Sequence, residues 1–283
     1  MLRGKVYTDT PLRRALRHRL LRWYRACGRD LPWRRTRDPY AILVSEVMLQ
    51  QTQVSRVLPA YESFLATFPS LRSLARAPLG DVLRLWSGLG YNRRARDLHR
   101  VARLSPSGLP IGLQALDELP GIGAYTAGAV ACFAFGERTA FADTNIRRVL
   151  GRVVLGRVAT EREAVQLDAE LVPRDAAGWH HALMDLGATI CVARAPRCDA
   201  CPLAARCRSR GVVAAPSPRR RQTSFATSDR RVRGRIIASL RDGDMTVDAL
   251  RRTLDDARVD RLVTTLVGEG LIERRGRRVA LPA

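Results

Sequence analysis

Apolar positions recur every three or four residues along most of the chain up to about residue 210, the spacing that turns one face of a helix toward a core. Leu12, Ala15, Leu20 and Trp23 set this rhythm for a helix over 11–27. Pro39, tolerated in a first helical turn, opens the next over the run AILVSEVMLQQ. Further helices are predicted over Val54–Phe68, Leu79–Ser87, Asn92–Leu104 and Leu113–Leu119, the last stopped by Pro120. Ala124–Phe135 resumes helix and ends at Gly136, a residue suited to a left-handed C-terminal position. Helical spacing continues over 145–155, 161–171 and 178–190. Alternation with period two is nearly absent, so an all-α domain is expected.

The rhythm breaks at 211–229. Prolines, serines and a run of arginines there read as a linker. Beyond it, helices are expected over 231–241, 246–255 and 257–268. Two short β segments, Leu271–Arg274 and Arg278–Leu281, flank the turn Arg275–Gly276–Arg277. Three helices and a hairpin resemble a winged helix. No apolar run reaches the ~18 residues of a membrane span. The N-terminal stretch lacks the apolar core of a signal peptide. A cytoplasmic monomer with no membrane attachment is expected.

Charge narrows the choice of partner. Lysine and arginine number 49 against 27 aspartates and glutamates, a net charge of +22. That surplus calls for a polyanion, nucleic acid before an acidic membrane surface. All but one of the basic residues are arginine; Lys5 is the exception. A GC-rich genome explains the choice of arginine but not the excess of base over acid. The skew also limits chemistry, because a Schiff-base lysine would have to be Lys5, in a terminal segment.

Four of the six cysteines, Cys191, Cys198, Cys201 and Cys207, follow the spacing C-x6-C-x2-C-x5-C. Such density points to a metal centre. A single zinc ion usually takes two close pairs, and only Cys198 and Cys201 form one. The asymmetry favours a 4Fe-4S cluster, with zinc the alternative. Arg194, Arg197, Arg206, Arg208 and Arg210 stud the loop and suit phosphate contact, which favours a structural or DNA-positioning role over electron transfer. Cys27 and Cys132 read as inert core residues.

LPGIGAYTA, Leu119–Ala127, carries Gly121 and Gly123 between two helices. A tight turn there aims backbone amides outward as a site for a phosphate. Asp143, in FADTNIRRVL, has the position of an N-cap. Glu46 lies in an otherwise apolar helix, so it is either solvent-exposed or held beside a cavity; burial would raise its pKa and make it a proton donor.

Together these segments resemble the helix-hairpin-helix DNA glycosylases that carry an iron–sulfur loop, nearly end to end over residues 30 to 207. Within that superfamily the chain is similar to the adenine DNA glycosylases of the MutY type. The runs that carry the likeness are RDLPWR (Arg29–Arg34), SEVMLQQTQV (Ser45–Val54), WSGLGYNRRARDLH (Trp86–His99), LPGIGAYTAGAV, ADTNIRRVLGR and ALMDLGATIC, with the cysteine spacing. The resemblance implies a mainly α, two-lobed glycosylase domain over 1–210. Its six-helix barrel lobe would span about 36–142, with a terminal and cluster lobe from 1–35 and 143–210. A linker at 211–229 and a winged-helix-like basic α+β module at 230–283 would follow. It also settles the expected metal as a 4Fe-4S cluster on the four cysteines.

The implied partner is double-stranded DNA with adenine mispaired with guanine or 8-oxoguanine. Glu46 would protonate the adenine ring, and Asp143 would stabilise the positive sugar or bond to it transiently. Tyr125 and Asn145 would support Asp143 and the departing base. Gln51 and Tyr91 would probe the stack opposite the flipped base, Trp33 and Arg34 would line the pocket, and Gly121 and Gly123 would hold phosphate. Endonuclease III-type enzymes place a lysine at position 125, and tyrosine there implies a monofunctional enzyme with little or no lyase activity.

The chain departs from the family after Cys207. Roughly 75 residues follow, too few for the Nudix-like domain that reads 8-oxoguanine. No histidine follows His181, so the phenylalanine–serine–histidine loop has no counterpart. Asn92 and Thr144 stand where tyrosine and glycine are common. A thymine or other mismatch glycosylase is the alternative within the superfamily, and a non-enzymatic or redox-sensing iron–sulfur protein the alternative outside it. Glu46 within SEVMLQQTQ favours adenine, and the joint presence of Glu46, Tyr125, Asp143 and Asn145 favours an enzyme.

Overall fold

The structure is a computed structural model describing residues 10–212 and 224–283. Lys5 and most of the expected linker, residues 213–223, lie outside the described residues. The helices in chain order are α1 (Thr10–Cys27), α2 (Pro39–Leu49), α3 (Val54–Thr67), α4 (Leu71–Arg76) and α5 (Leu79–Leu85). Then come α6 (Arg93–Leu104), α7 (Leu113–Asp117), α8 (Ala124–Phe133), α9 (Thr144–Leu150), α10 (Glu161–Leu171) and α11 (Ala176–Thr189). The C-terminal segment adds α12 (Asp229–Ser239), β1 (Met245–Thr246), α13 (Val247–Leu254), α14 (Val259–Gly268), β2 (Glu273–Arg275) and β3 (Arg278–Ala280).

The described chain forms two compact units. One comprises residues 10–37, 111–117 and 123–212; the other comprises 38–110, 118–122 and 224–283. In the first unit, α11 packs against α1 and α9, α10 against α9, and α7 against α8. Leu16 and Leu20 supply the buried side of α1, while Arg17 on another side donates to the Leu171 carbonyl at 2.6 Å. In the second, α2 packs on α3 and α6, and α6 on α4 and α5.

Local chemistry sets the helix ends. Asp38 caps α2 by accepting from the Tyr40 amide, with Pro39 in the first turn. Thr160 and Glu163 form a capping box on α10. Asp175 caps α11, which starts two residues before the expected 178. The expected helix over 145–155 is α9 running into a wider π turn, Gly151–Leu155, closed by left-handed Gly156. A Cβ at Gly151 would collide with the backbone of Ala159, so only glycine fits.

Two elements were not anticipated. Helix α4 has only Leu71 and Leu74 as buried positions and rests on a Ser70–Ser73 capping box. Strand β1 is two residues long. Both are too short to show a period. The three strands form an antiparallel sheet in the order β1-β3-β2, with Met245 opposite Val279 and Arg274 opposite Val279 on the other side. Helices α12, α13 and α14 pack on one another beside it. This is the expected winged-helix arrangement, completed by β1. The module is tied to the helices of its own unit: Gly80 donates to the Pro282 carbonyl at 2.8 Å, and Arg84 Nε to the Arg241 carbonyl at 2.8 Å.

Candidate functional site

In the second unit, Glu46 is 7% exposed, within a stretch from Tyr40 to Met48 that is buried throughout. The sequence left exposure and burial evenly balanced; the fold buries the acid. Helix α2 ends at Leu49 with Gln50 as its C-cap, and the exposed Gln51 follows at φ +56°. Tyr91 has φ +49° and is 41% exposed. Left-handed backbone at such side chains costs energy and gathers at functional sites.

Arg94 joins these two strained turns. Its guanidinium donates to the carbonyls of Val47 (2.7 Å) and Met48 (2.9 Å), at the end of α2, and of Leu89 (3.1 Å) and Gly90 (3.2 Å). It also lies over the rings of Trp86 and Tyr91. Burial pulls its pKa down to about 10, which leaves it charged at neutral pH. Sequence reasoning passed over Arg94; its partners lie up to 47 positions away.

Gly121 adopts φ +73°, and a Cβ there would fall 2.8 Å from the Cβ of Asp97, so the position requires glycine on two counts. The turn closes with the Ile122 amide on the Leu119 carbonyl at 3.1 Å. In the first unit, Gly123 is the N-cap of α8, and the place a Cβ would take there is open. That leaves room for a phosphate at the helix N-terminus.

Asp143 is the N-cap of α9. Its Oδ1 accepts from the amides of Asn145 (2.9 Å) and Ile146 (2.7 Å), and its Oδ2 from Asn145 Nδ2 (2.8 Å). Asn145 is in turn held by Arg148, whose Nη2 donates to Asn145 Oδ1 (2.7 Å) and the Gly187 carbonyl (2.6 Å), and whose Nε donates to the Cys191 carbonyl (2.6 Å). A polar chain therefore runs from Asp143 to the first cysteine of the loop.

Tyr125 meets Phe141 edge-on at 5.6 Å. Phe141 stacks on His180 at 3.9 Å, and its amide donates to Asp168 at 3.2 Å. Asp168 and His180 are fully buried and 2.7 Å apart, with Trp179 Nε1 also donating to Asp168 at 2.7 Å. This apolar-walled polar knot fixes the segment leading into Asp143.

Trp33 is buried in a 3₁₀ turn, Pro32–Arg34. Arg34 presents both Nη nitrogens to Asp185 at 2.8 Å, and Arg29 adds its amide (2.8 Å) and Nε (2.7 Å). Burial would raise the Asp185 carboxyl, but the hydrogen bonds and charge of Arg34, with those of Arg29, hold it below its ordinary value. The Arg34 contact that stands out is thus with α11, made by two motifs the sequence showed only as separate runs.

Cys191, Cys198, Cys201 and Cys207 line one pocket with Val149, Leu186 and other apolar side chains. Burial, with the other three cysteines adding to it, pushes the Cys201 thiol up to about 11. Arg152, in the π turn, donates to the carbonyls of Val192 and Ala193 at 2.8 Å and to Cys191 Sγ at 3.5 Å. The carbonyls of Arg152 and Val153 accept from Ser209 and Arg208 at 3.2 Å. One turn therefore pins both ends of the cysteine loop. Among the described residues, no three His, Cys, Asp or Glu side chains are grouped for a single metal ion. The four thiols border one shared pocket, a donor set of the kind an iron–sulfur cluster takes.

A family model described as "HhH-GPD superfamily base excision DNA repair protein" matches residues 44–174. The chain belongs to this superfamily of base excision DNA repair proteins. It is 44% identical over 269 residues to the adenine DNA glycosylase of Mycolicibacterium smegmatis, covering 90% of this chain and 92% of that one. It is 41% identical over 280 residues to the adenine DNA glycosylase of Mycobacterium tuberculosis H37Rv, covering 93% and 92%. Among solved structures, a thermostable thymine-DNA glycosylase superposes with a TM-score of 0.65 at 30% identity, covering 70% of this chain and 96% of that one. The expected fold class, a mainly helical glycosylase fold with a small C-terminal α+β part, is borne out.

Proposed function

We propose that this chain is a monofunctional adenine DNA glycosylase of base excision repair, acting on adenine mispaired with guanine or 8-oxoguanine. The observation that carries the reading is the burial of Glu46 in an otherwise apolar helix, in a chain 41–44% identical to proteins named for that activity. The target base leaves the stack, at a cost of a few kcal/mol that is least at a mispair. Glu46 gives its proton to the adenine ring. The bond from the base to the sugar then breaks, its electron pair leaving with the base. The carboxylate of Asp143, oriented by Asn145, faces the positive sugar. Tyr125 supports Asp143 through Phe141. Water adds to the sugar carbon and gives up a proton that restores the Glu46 carboxyl by way of solvent, so the products are free adenine and an abasic site in an uncut strand.

Gln51 and Tyr91 probe the opposite strand, Trp33 and Arg34 border the base pocket, and Gly121 and Gly123 meet phosphate. Cys191, Cys198, Cys201 and Cys207 would hold a 4Fe-4S cluster. Such a cluster would cross-link the loop and add charge near its arginines. The protein works as a monomer on chromosomal DNA in the cytoplasm.

Single-turnover excision on duplexes with adenine or thymine opposite guanine and 8-oxoguanine tests the reading. Adenine alone should be released. Thymine release would support the mismatch-glycosylase reading that the solved neighbour favours, and no release from any duplex would sink the enzymatic reading. Borohydride should trap no stoichiometric enzyme–DNA adduct.

A further inference from the structure

In the second unit a cavity of about 740 Å³ opens between the turn at 87–94 and the C-terminal module. Arg56, Arg93 and Arg94 line it from one side, and Arg230, Arg233 and Arg241 from the module. Glu269 is the one carboxylate among its described lining residues, and it is engaged by Arg233 at 3.1 Å. The cavity therefore carries a large positive excess. Arg241 Nε is shut away from water with no hydrogen-bond partner among the described residues.

Two aromatic rings stand at this cavity half in water: Tyr91, 41% exposed, and Phe225, 65% exposed. Arg230 donates to the Tyr91 hydroxyl at 2.7 Å and lies 5.8 Å over its ring. Two of the three described non-glycine residues with left-handed backbone, Gln51 and Tyr91, border the same space. Guanidinium groups beside exposed aromatic faces form the pairing that single nucleotides need: donors for phosphate and a platform for the base. The volume falls in the range of small-ligand sites, larger than a phosphate alone requires.

We infer that this cavity takes up one unstacked nucleotide of the bound DNA, from the strand opposite the adenine. Its base lies against Phe225 and Tyr91, and its phosphate is held by Arg230 and Arg241. The inference rests on the glycosylase reading for the identity of the DNA. It gives the winged-helix module a job: contributing one wall of a pocket for the facing nucleotide.

The test uses the full chain and duplexes containing 2′-fluoroadenosine, whose glycosidic bond resists cleavage. Opposite it stands either guanine or a tetrahydrofuran residue that lacks a base. The wild type should bind the guanine duplex about tenfold more tightly. Phe225→Ala should erase most of that preference. Arg241→Ala should weaken both duplexes alike and lower the slope of log affinity against log salt by about one. Retention of the full preference in Phe225→Ala overturns the base half of the inference, and an unchanged salt slope in Arg241→Ala overturns the phosphate half. Matching thermal midpoints exclude misfolding in the two variants. Adenine release by the wild type from a cleavable duplex is followed in parallel. A wild type that discriminates guanine from the gap but releases no base refutes the glycosylase reading and keeps the cavity. Normal release with an unaffected Phe225→Ala refutes the cavity alone.

Discussion

Glu46 lies in a helix whose residues from Tyr40 to Met48 are all buried, whereas Asp143 stands at the first turn of a helix and accepts three hydrogen bonds. Burial inside a helix marks the first acid, and three directed donors hold the second. The difference matches two chemical tasks. A proton donor works best when water is kept from it, and a charge stabiliser works best when fixed dipoles hold it still. The largest expected effect follows directly. Glu46→Gln keeps shape and volume but has no proton to give, so single-turnover adenine release should fall roughly 10²–10⁴-fold while duplex affinity holds. Asp143→Asn should cost a comparable factor. Wild-type release rates in Glu46→Gln would break the comparison at its root.

A second polar cluster lies in the same unit as Asp143. Asp185 is buried between Arg29 and Arg34, with side-chain exposure of 1%. Asp185→Ala leaves two guanidinium groups without their partner, a loss of about 3–5 kcal/mol in stability, read by denaturant unfolding. Because the folded carboxyl sits below its ordinary value, this stability is present above the unfolded pKa and lost as pH falls through the folded one. The wild type should therefore lose stability in acid more steeply than Asp185→Asn.

Those partners explain what was legible in the sequence. The helices could be read because each repeats its apolar period several times, as in α3 or α6. The two carboxylates could be read from motifs, though neither burial nor capping alone marked them. Arg148, Arg152, Arg94 and Asp185 carried no such signal. Arg148 reaches 43 residues to the Cys191 carbonyl, and Arg34 reaches 151 to Asp185. Such pairings are made by tertiary packing, which local spacing does not encode. The cysteine loop is the instructive middle case. Its spacing announced a metal centre, but the π turn that grips it was read as ordinary helix, because a wider turn leaves the apolar rhythm of 145–155 nearly intact.

Arg148 gives a smaller and more specific test. It connects Asn145 to the Cys191 carbonyl, so it should position Asp143 rather than touch substrate. Arg148→Ala leaves acceptors unpaired and should cost about 1.5–3 kcal/mol in stability. The saturating excision rate should drop about tenfold with little change in half-saturating enzyme concentration. Arg148→Lys, which can restore one bond but not the fork, should recover only part of the rate. A change confined to affinity would mean that Arg148 serves DNA contact, and the wiring would be only structural.

The smallest effect separates the two identities of Asp143 itself. As an N-cap it has equivalents: serine ranks beside aspartate because its oxygen can accept from the same amides. As a carboxylate facing a cationic sugar it has none among uncharged side chains. Asp143→Ser should therefore change stability by less than about 0.5 kcal/mol, whereas Asp143→Ala, which leaves the amides of Asn145 and Ile146 unsatisfied, should cost about 1 kcal/mol. Both should lose adenine release to a similar degree. Equal stability loss in the two variants would show that the amide bonds contribute nothing to α9, and that Asp143 is held by its link to Asn145 Nδ2 instead. Retained excision in Asp143→Ser would reduce the residue to a helix cap and leave Glu46 as the only working acid.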